Sequence, residues 1–366
     1  MKEIKTIIDA YHEHQNDAQR TALATVVRVD GSSYRRTGAR MFVTESGDWV
    51  GGISGGCLEG DALRRAKMAI MQDKPSVVTY DTTEDDAHQI GVGLGCNGII
   101  DILITPITEE SGHHPIHILE KAKQERKPQV LVTVVESEHE ALPQGTVILY
   151  EDEASFRAAA GPATGVLDEV HTAFAKKKSH LADLEAEGRP VRCFVEFLPP
   201  PVHLIVQGGN YDIYPLLRLG REMGWRLSVV ANPKKLDRMA FDLADDILSS
   251  KSEEMPLIDD YSATIIMAHD YKTDLRNLKA MLDSGIPYIG LLGPRKRTLK
   301  MYADLAKEDR ILSVTDEQRI HSPVGLDIGA ASPEEIALSI LAEIITHFSG
   351  RDGGHLKHRE GPIHER

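Results

Sequence analysis

The chain has 366 residues, a formal net charge of −14 and three cysteines, Cys57, Cys96 and Cys193. Its length exceeds what one ordinary hydrophobic core organises, so we expect two or three domains. The acidic charge argues against a nonspecific nucleic-acid binder, because phosphates demand a basic surface. The sparse, odd cysteine count excludes a disulfide framework and indicates a reducing compartment.

The start of the chain and its apolar runs indicate the compartment further. The opening segment MKEIKTIIDAYHEHQND lacks the apolar stretch of a secretory leader and is typical of an amphipathic helix. No apolar run approaches the roughly 20 residues that a membrane span needs. We therefore expect a cytoplasmic protein with no membrane segment.

The first third of the chain alternates strands with glycine-rich loops. Strands are predicted at residues 22–29, 41–44, 77–80 and 98–107, and Gly47-Asp48 predicts a hairpin turn. The segment GGISGGCLEGD (51–61) follows the hairpin, and the apolar spacing after it predicts a helix.

The region from about 113 to 200 has a weaker pattern. We expect helices over 116–127 and 173–187, and strands over 130–135, 146–150 and 192–197. Pro199-Pro200-Pro201 ends this region as a stiff boundary, because proline lacks a ladder donor and restricts the residue before it.

After this boundary, short apolar strands alternate with helical segments. Strands are predicted at 202–206, 227–230, 263–268 and 288–292, and helices at 211–223 and 332–348. This alternation is typical of a doubly wound parallel sheet. The predicted fold class is therefore α/β, with a mixed α/β N-terminal domain and a C-terminal Rossmann-like doubly wound parallel sheet. The expected divisions are 1–110, an intervening segment 111–200, a Rossmann-like domain 201–349 and a mobile tail 350–366.

The loop at 51–61 is the first candidate site. Paired glycines let a backbone take positive φ and approach a ligand closely, and a loop that feeds a helix N-terminus favours an anion. Ser54, Gly55, Gly56 and Cys57 are the candidate binding residues. The alternative is an ordinary helix start with an inert small residue.

Two further features lie in the same part of the chain. GLGCNG at 93–98 matches G-x-G-x-x-G, but a strand follows it where a dinucleotide site needs a helix, so Gly95 and Cys96 mark only a possible ligand-facing loop. Arg35, Arg36 and Arg40 are typical of phosphate or carboxylate binding. A solvated hairpin face is the alternative for these arginines.

The turn Gln207-Gly208-Gly209-Asn210 stands where a dinucleotide fingerprint belongs, between a strand and a helix. Gln207 and Asp212 occupy two glycine positions of the fingerprint, and Asn232 replaces the expected acidic residue. These changes weaken an NAD(P) prediction, although Lys234 and Lys235 could meet a 2′-phosphate. A sheet-to-helix turn without a nucleotide is the alternative.

His269 follows the predicted strand 263–268 directly. Ligands of parallel sheets usually bind at the carboxyl ends of the strands. His269 is therefore a candidate acid or base, although a structural role is commoner for a single histidine.

Six segments at the two ends of the chain carry a family resemblance. They are GSSYRRTGARM (31–41), GGISGGCLEGD (51–61), GVGLGCNG (91–98), MAHDYKTDLRNL (267–278), YIGLLGPRKR (288–297) and GLDIGAASPEEIALSILAEII (325–345). Together they resemble the xanthine dehydrogenase accessory protein family, XdhC/CoxI. The family turn usually reads G-A-G-H where this chain has Gln207-Gly208-Gly209-Asn210.

The resemblance implies an XdhC/CoxI N-terminal domain and a C-terminal XdhC Rossmann domain. It also implies an accessory factor that binds the molybdenum cofactor (molybdopterin), supports its sulfuration with a cysteine desulfurase, and helps to insert it into the xanthine dehydrogenase apoenzyme. Self-association is compatible with this role. From its position in the glycine loop, we hypothesise that Cys57 is a metal ligand or sulfur relay, because thiolates suit soft metal chemistry. The candidate cofactor-binding residues, taken from the loops and arginines described above, are Arg35, Arg36, Arg40, Ser54, Gly55, Gly56, Cys57, Gly95, Cys96, Gly208, Gly209 and Asn210.

Three functions stay open at this point. The first is a cofactor chaperone that is not itself an enzyme. The second is an NAD(P)-dependent oxidoreductase, for which Cys57 and His269 are the candidate catalytic residues. The third is a non-catalytic subunit of a xanthine dehydrogenase complex in purine catabolism. Three cysteines cannot hold a four-cysteine iron–sulfur cluster, so this chain alone is not the hydroxylase's electron-transfer chain.

Overall fold

The computed structural model describes residues 1–15, 19–82, 98–108, 114–252 and 254–360. The chain divides into two compact units, Met1–Pro200 and Pro201–Arg359. The division falls within the run of three prolines, where a strand ladder cannot continue.

The first half of unit 1 is an antiparallel sheet with a helix on each face. Its elements are α1 (Lys2–Gln15), β1 (Thr21–Gly31), β2 (Arg40–Thr44), β3 (Trp49–Gly51), α2 (Glu59–Gln72), β4 (Ser76–Asp81) and β5 (Gly98–Ile107). The strand order is β3-β2-β1-β5-β4. Met41 and Val43 pack with α2, and Phe42 between them packs with α1, because successive strand side chains alternate faces.

The second half of unit 1 is another antiparallel sheet. Its elements are α3 (Pro115–Gln124), β6 (Gln129–Ser137), β7 (Val147–Leu149), α4 (Glu153–Ala160), β8 (Ala163–Thr164), α5 (Val166–Lys176), β9 (His180–Ala186) and β10 (Arg189–Leu198), in the sheet order β7-β6-β10-β9-β8. Val27 and Leu103 of the first sheet share a buried cluster with Val135 and Phe194 of the second. The two sheets therefore form one packed body.

One predicted element of this half is wrong. The helix expected over 173–187 ends at Lys176, Lys177 takes a left-handed φ of 50°, and β9 follows. β9 pairs with β10 from His180 to Ala186. Pairing along a neighbouring strand overrides the helix preference of the local Ala, Leu and Glu residues.

Unit 2 is a parallel sheet with helices on both faces. Its elements are β11 (His203–Gln207), α6 (Ile213–Glu222), β12 (Arg226–Ala231), α7 (Arg238–Leu243), β13 (Asp246–Ser249), β14 (Ser262–Ile266), α8 (Tyr271–Ser284), β15 (Tyr288–Leu291), α9 (Arg295–Lys307), α10 (Val314–Arg319), β16 (Ile320–His321) and α11 (Pro333–Ser349). The order β13-β12-β11-β14-β15-β16 confirms the predicted Rossmann-like doubly wound sheet.

The strand order of unit 2 indicates at which edge of the sheet a ligand would bind. Helices α6 and α11 cover one face, and α8 and α9 cover the other. The chain reverses direction across the sheet between β11 and β14, and ligands of such sheets bind at the carboxyl ends of the strands at this switch point. Beyond α11, Leu356–His358 form one turn of 3-10 helix.

Candidate functional site

Ser54 organises the glycine loop between β3 and α2. Its hydroxyl oxygen accepts hydrogen bonds from the backbone N–H groups of Gly56, Cys57 and Leu58 at 3.2, 3.1 and 3.0 Å. The Glu59 carboxylate accepts from the Ser54 N–H at 2.8 Å and from the Ser54 hydroxyl. The loop therefore differs from the free anion site that we expected, because these amides already have an acceptor within the loop.

Cys57 occupies the outer part of this loop. Its thiol is free and half-buried, and it packs against the core under α2. Gly56 has a φ of 111°, and no atom of the described residues lies within 4 Å of the position a Cβ would take there. A Cβ on Gly55 would lie 3.3 Å from the exposed ring of Tyr34. Among the described residues, the loop beside Cys57 thus combines an open side with an exposed aromatic ring.

Asp61, in the first turn of α2, is the buried centre of a charged network. Its carboxylate accepts hydrogen bonds from Arg65 at 2.6 Å, Arg64 at 2.5 Å and the Tyr80 hydroxyl at 2.8 Å. Burial alone would raise the pKa of Asp61, but these donors outweigh it and lower that pKa to about 2. Asp61 therefore ties α2 to β4 as a permanent anion near neutral pH.

The three arginines that were predicted as an anion-binding set lie in different environments. Arg40 is buried, and its guanidinium donates to both carboxylate oxygens of Glu196 on β10, with Nη1 2.9 Å from Oε1. Arg35 pairs with Glu3 of α1, and Arg36 is exposed. A phosphate at this loop would have to compete with the carboxylates of Glu3 and Glu196. Burial of Arg40 also overturns the alternative of a solvated face at that position.

The structure says less about the other two predictions for the first domain, the loop with Gly95 and Cys96 and the metal site. Gly95 and Cys96 lie outside the described residues. Across the described ranges, no group of three or more His, Cys, Asp and Glu side chains is arranged to hold a metal ion. Metal binding by Cys57 therefore stays a prediction that depends on one sulfur atom. Within the same ranges, no helix is long and apolar enough to cross a membrane.

The two turns at the switch point of unit 2 touch through their backbones. A Cβ on Gly208 would lie only 2.5 Å from the carbonyl oxygen of Met267, so this position requires glycine. Gln207, at the first glycine position of the fingerprint, is buried, and its Nε2 donates to the Thr264 hydroxyl at 3.0 Å. Gln207 therefore joins β11 to β14.

Asn232 is engaged at the end of β12. Its side-chain oxygen accepts the backbone N–H of Lys234 at 3.2 Å and caps the 3-10 turn Pro233–Lys235. The position that holds a ribose in dinucleotide sites thus has a structural role here. Lys234 and Lys235 are exposed beside it.

His269 and Asp212 join the same two turns through their side chains. His269 Nε2 lies 2.6 Å from Asp212 Oδ2, and His269 has a left-handed φ of 58°. The His269 side chain is 48% exposed, whereas that of Asp212 is 15% exposed. The preceding residue, Ala268, donates its N–H at 2.9 Å to Asp274, a buried carboxylate that pairs with Arg297. A fixed turn thus presents the His269 ring at the ligand edge.

Comparisons with known proteins give the family of this chain. A model of the XdhC and CoxI family matches residues 14–81, and a model of the XdhC Rossmann domain matches residues 204–344. A probable xanthine dehydrogenase subunit of Bacillus subtilis (strain 168) is 30% identical over 352 residues, which are 94% of this chain and 97% of that protein. The chain belongs to the XdhC and CoxI family.

Two further relatives extend the comparison. A crystal structure of a xanthine dehydrogenase from Bacillus halodurans matches with a TM-score of 0.73 and 27% identity, and the match covers 94% of this chain and 96% of that one. The molybdenum cofactor insertion chaperone PaoD of Escherichia coli (strain K12) is 23% identical over 93% of this chain and 87% of its own length. The predicted family and the α/β fold class with a Rossmann-like domain are thus confirmed.

The sequence missed three acidic residues that position the sites of this XdhC and CoxI family member. Glu196 pairs with Arg40, Asp212 with His269, and Asp274 with Arg297. Glu196 carried a usable signal, because a lone carboxylate in an apolar strand needs a buried partner. The pairings of Asp212 and Asp274 depend on which strands are neighbours in the sheet, and sequence spacing does not show that.

Proposed function

We propose that this chain is an accessory protein for a molybdenum hydroxylase. The observation that carries the proposal is its similarity, over 93% of its length, to a protein named as a molybdenum cofactor insertion chaperone. A second relative is named as a probable xanthine dehydrogenase subunit, which supports xanthine dehydrogenase as the client. In finer detail, the chain would bind the molybdenum cofactor, support its sulfuration with a cysteine desulfurase and insert it into the apoenzyme.

The glycine loop of unit 1 fits part of this cofactor and not all of it. The free, half-buried thiol of Cys57 is a soft donor, and sulfur ligands suit soft metal chemistry. The amides at Gly56–Leu58 are engaged by Ser54, so the loop offers no ready cradle for the terminal phosphate. Cys57 would therefore hold the metal end of the cofactor, and the cofactor would supply the metal that accepts the new sulfur.

A second function has one observation in its favour. The relative from Bacillus subtilis is named as a subunit of xanthine dehydrogenase. A stable, non-catalytic subunit would co-elute with the other xanthine dehydrogenase chains at a fixed ratio, whereas a chaperone would leave after insertion.

The test is anaerobic purification of the chain from a molybdenum-replete host, followed by identification of the small molecules that it releases on denaturation. Wild-type protein should release molybdopterin. We expect Cys57→Ser to lower the retained molybdenum cofactor at least about tenfold, since even outer partners of a metal centre contribute that much to affinity. The protein should also activate xanthine dehydrogenase less well after this substitution.

Cys193→Ala is the matched thiol control. Burial raises the pKa of Cys193 to about 12, so its sulfur is an unreactive part of the core. Unchanged cofactor retention and activation in Cys57→Ser would eliminate the role of Cys57. Absence of molybdopterin from the wild-type protein, with NADP and hydride transfer in its place, would reject the accessory function altogether.

A further inference from the structure

The segment of residues 322–332, here called the strap, starts at the carboxyl end of β16 and leads to α11. The Val324 N–H donates to the carbonyl oxygen of Leu291, the last residue of β15, at 3.2 Å. A Cβ on Gly290 would lie only 2.6 Å from the Val324 side chain. The strap therefore covers the end of β15, at the edge where ligands of parallel sheets bind.

Two residues of α11 anchor the strap. Glu343 accepts the Gly325 N–H at 2.8 Å, and Ser339 donates its hydroxyl to the Leu326 carbonyl at 2.6 Å. Gly325 has a φ of 110°, and a Cβ there would collide with the Ser339 hydroxyl, so the backbone runs directly against the helix. Beyond this anchor, residues 327–329 are exposed. The contacts with α11 thus fix where the strap lies.

Glu343 is also the centre of a mostly buried cluster of titratable rings. Its carboxylate accepts from the Tyr288 hydroxyl at 2.5 Å and lies 3.4 Å from His321 Nδ1. The His321 ring stacks on Tyr288 with centroids 4.1 Å apart, and His347 meets these two rings edge-on at 5.6 and 5.2 Å. Burial would raise the pKa of Glu343, but its hydrogen bonds with His321, Tyr288 and Gly325 outweigh burial and lower that pKa. The carboxylate that anchors the strap is therefore an anion near neutral pH.

Protonation of this cluster opposes its packing. Among the described residues, the titratable groups that face His347 are Tyr288, His321 and Glu343. Burial is the largest cause that lowers the pKa of His347, the neighbouring His321 lowers it further, and Glu343 opposes both. His321 Nε2 is buried without a hydrogen-bond partner among the described residues, so an N–H added there would lack an acceptor. The folded chain therefore binds a proton at His347 less readily than the unfolded chain does. The resulting stability is present above the usual pKa of 6.5 and is lost as the pH falls below it.

We propose that the strap is a pH-sensitive lid: a proton on His347 opens the cluster around Glu343, frees Gly325 from its acceptor and uncovers the end of β15. An imidazolium at position 347 needs water or a carboxylate, and the Glu343 carboxylate is already shared by Tyr288, His321 and Gly325. As Glu343 turns towards the new charge, the strap loses the anchor on its backbone. Loss of the proton restores the closed strap. The lid lies wholly within unit 2 and is independent of the cofactor chemistry at Cys57.

The test is amide hydrogen exchange of the full-length chain at about pH 7.5 and about pH 5.5, which bracket the usual pKa of histidine. Mass spectrometry measures the exchange, with a correction for the pH dependence of intrinsic exchange. Peptides that cover residues 322–332 should lose protection at the lower pH, whereas peptides from the central strand β11 should keep theirs. His347→Phe retains an aromatic ring against Tyr288 and cannot be protonated, so its strap should stay protected at both pH values. His355→Phe, at an exposed position after α11, is the matched control and should behave as wild type does.

Two further variants keep the test decisive. Glu343→Ala removes the acceptor of Gly325 and should expose the strap to exchange at both pH values. His347→Gln replaces His347→Phe if thermal melts show that the latter is unfolded, and the same protection is expected of it.

Three results would overturn the lid. The first is strap protection in the wild type that is equal at the two pH values, and the second is an equal loss in wild type and His347→Phe. The third is a loss that extends to β11 to the same degree, because global unfolding would then account for the change.

Discussion

The buried pair of Arg40 and Glu196 decides the arrangement of the arginine loop. The two side chains are 4% and 5% exposed, and Arg40 also donates to the carbonyl of Gly38 at 2.7 Å. A Cβ on Gly38 would lie 2.5 Å from Glu196 Oε1, so the loop closes directly over the carboxylate. An ion pair this enclosed adds little net stability, but removal of one partner leaves a buried, unpaired charge that destabilises the fold.

We therefore expect Glu196→Ala to lower the free energy of unfolding by about 3–5 kcal/mol, because Arg40 would stay buried without its counter-ion. Urea denaturation followed by circular dichroism measures this change. Asp183→Ala is the control, since it breaks the exposed pair of Arg192 and Asp183 on the neighbouring strands and should cost less than about 1 kcal/mol. Equal losses in the two variants would contradict the assignment of Arg40 as a buried, structural cation.

Asp61 gives a pH dependence with a definite sign. The pKa of Asp61 is about 2 in the folded chain, whereas the usual value is 3.8. Its ion pairs therefore stabilise the fold fully at a pH above 3.8, and this stabilisation is lost as the pH falls through about 2. This contribution is about 2 kcal/mol near neutral pH. Unfolding curves of wild type and Asp61→Asn between pH 7 and pH 2.5 should converge as pH falls. Parallel curves would refute the lowered pKa of Asp61. The control for the loss of one carboxylate is Asp73→Asn, at an exposed position just after α2.

At the scale of elements, the sequence predicts best where one pattern dominates. β5 was predicted at the residues where it lies, 98–107. The helix after the glycine loop was predicted from the spacing of Leu58, Ala62, Leu63, Ala66 and Ile70, all of which are buried except the half-buried Leu63. β9 was missed because its residues favour a helix and only pairing with β10 makes them a strand. The short strands β13 and β16 were missed for lack of a long apolar run.

The candidate sites were predictable only in part for the same reason. Gly208 marks a close backbone approach and Gly56 a positive φ, and His269 is recognisable because it follows a predicted strand directly. The acceptor role of Ser54 depends on how the loop folds back on itself, and the pairing of His269 with Asp212 depends on the order of β11 and β14. Local patterns therefore located these sites without showing which groups were already occupied.

For the whole molecule, the position of the core predicts independent folding. Unit 2 buries apolar side chains on both faces of its own sheet, and each of these two clusters consists of residues after Pro201. A body with its own core behaves as a domain, and a proline-rich junction is a natural boundary.

We accordingly expect the fragment 201–359 to fold when expressed alone. It should give one cooperative thermal transition, because the fragment contains all six strands of its sheet and the edge strands β13 and β16 are short. Circular dichroism melts of the fragment and of the full chain measure this transition. The matched control is a fragment that starts at residue 206, which lacks most of the central strand β11 and should not fold. A 201–359 fragment without a cooperative transition would show that unit 2 needs the remainder of the chain for its stability.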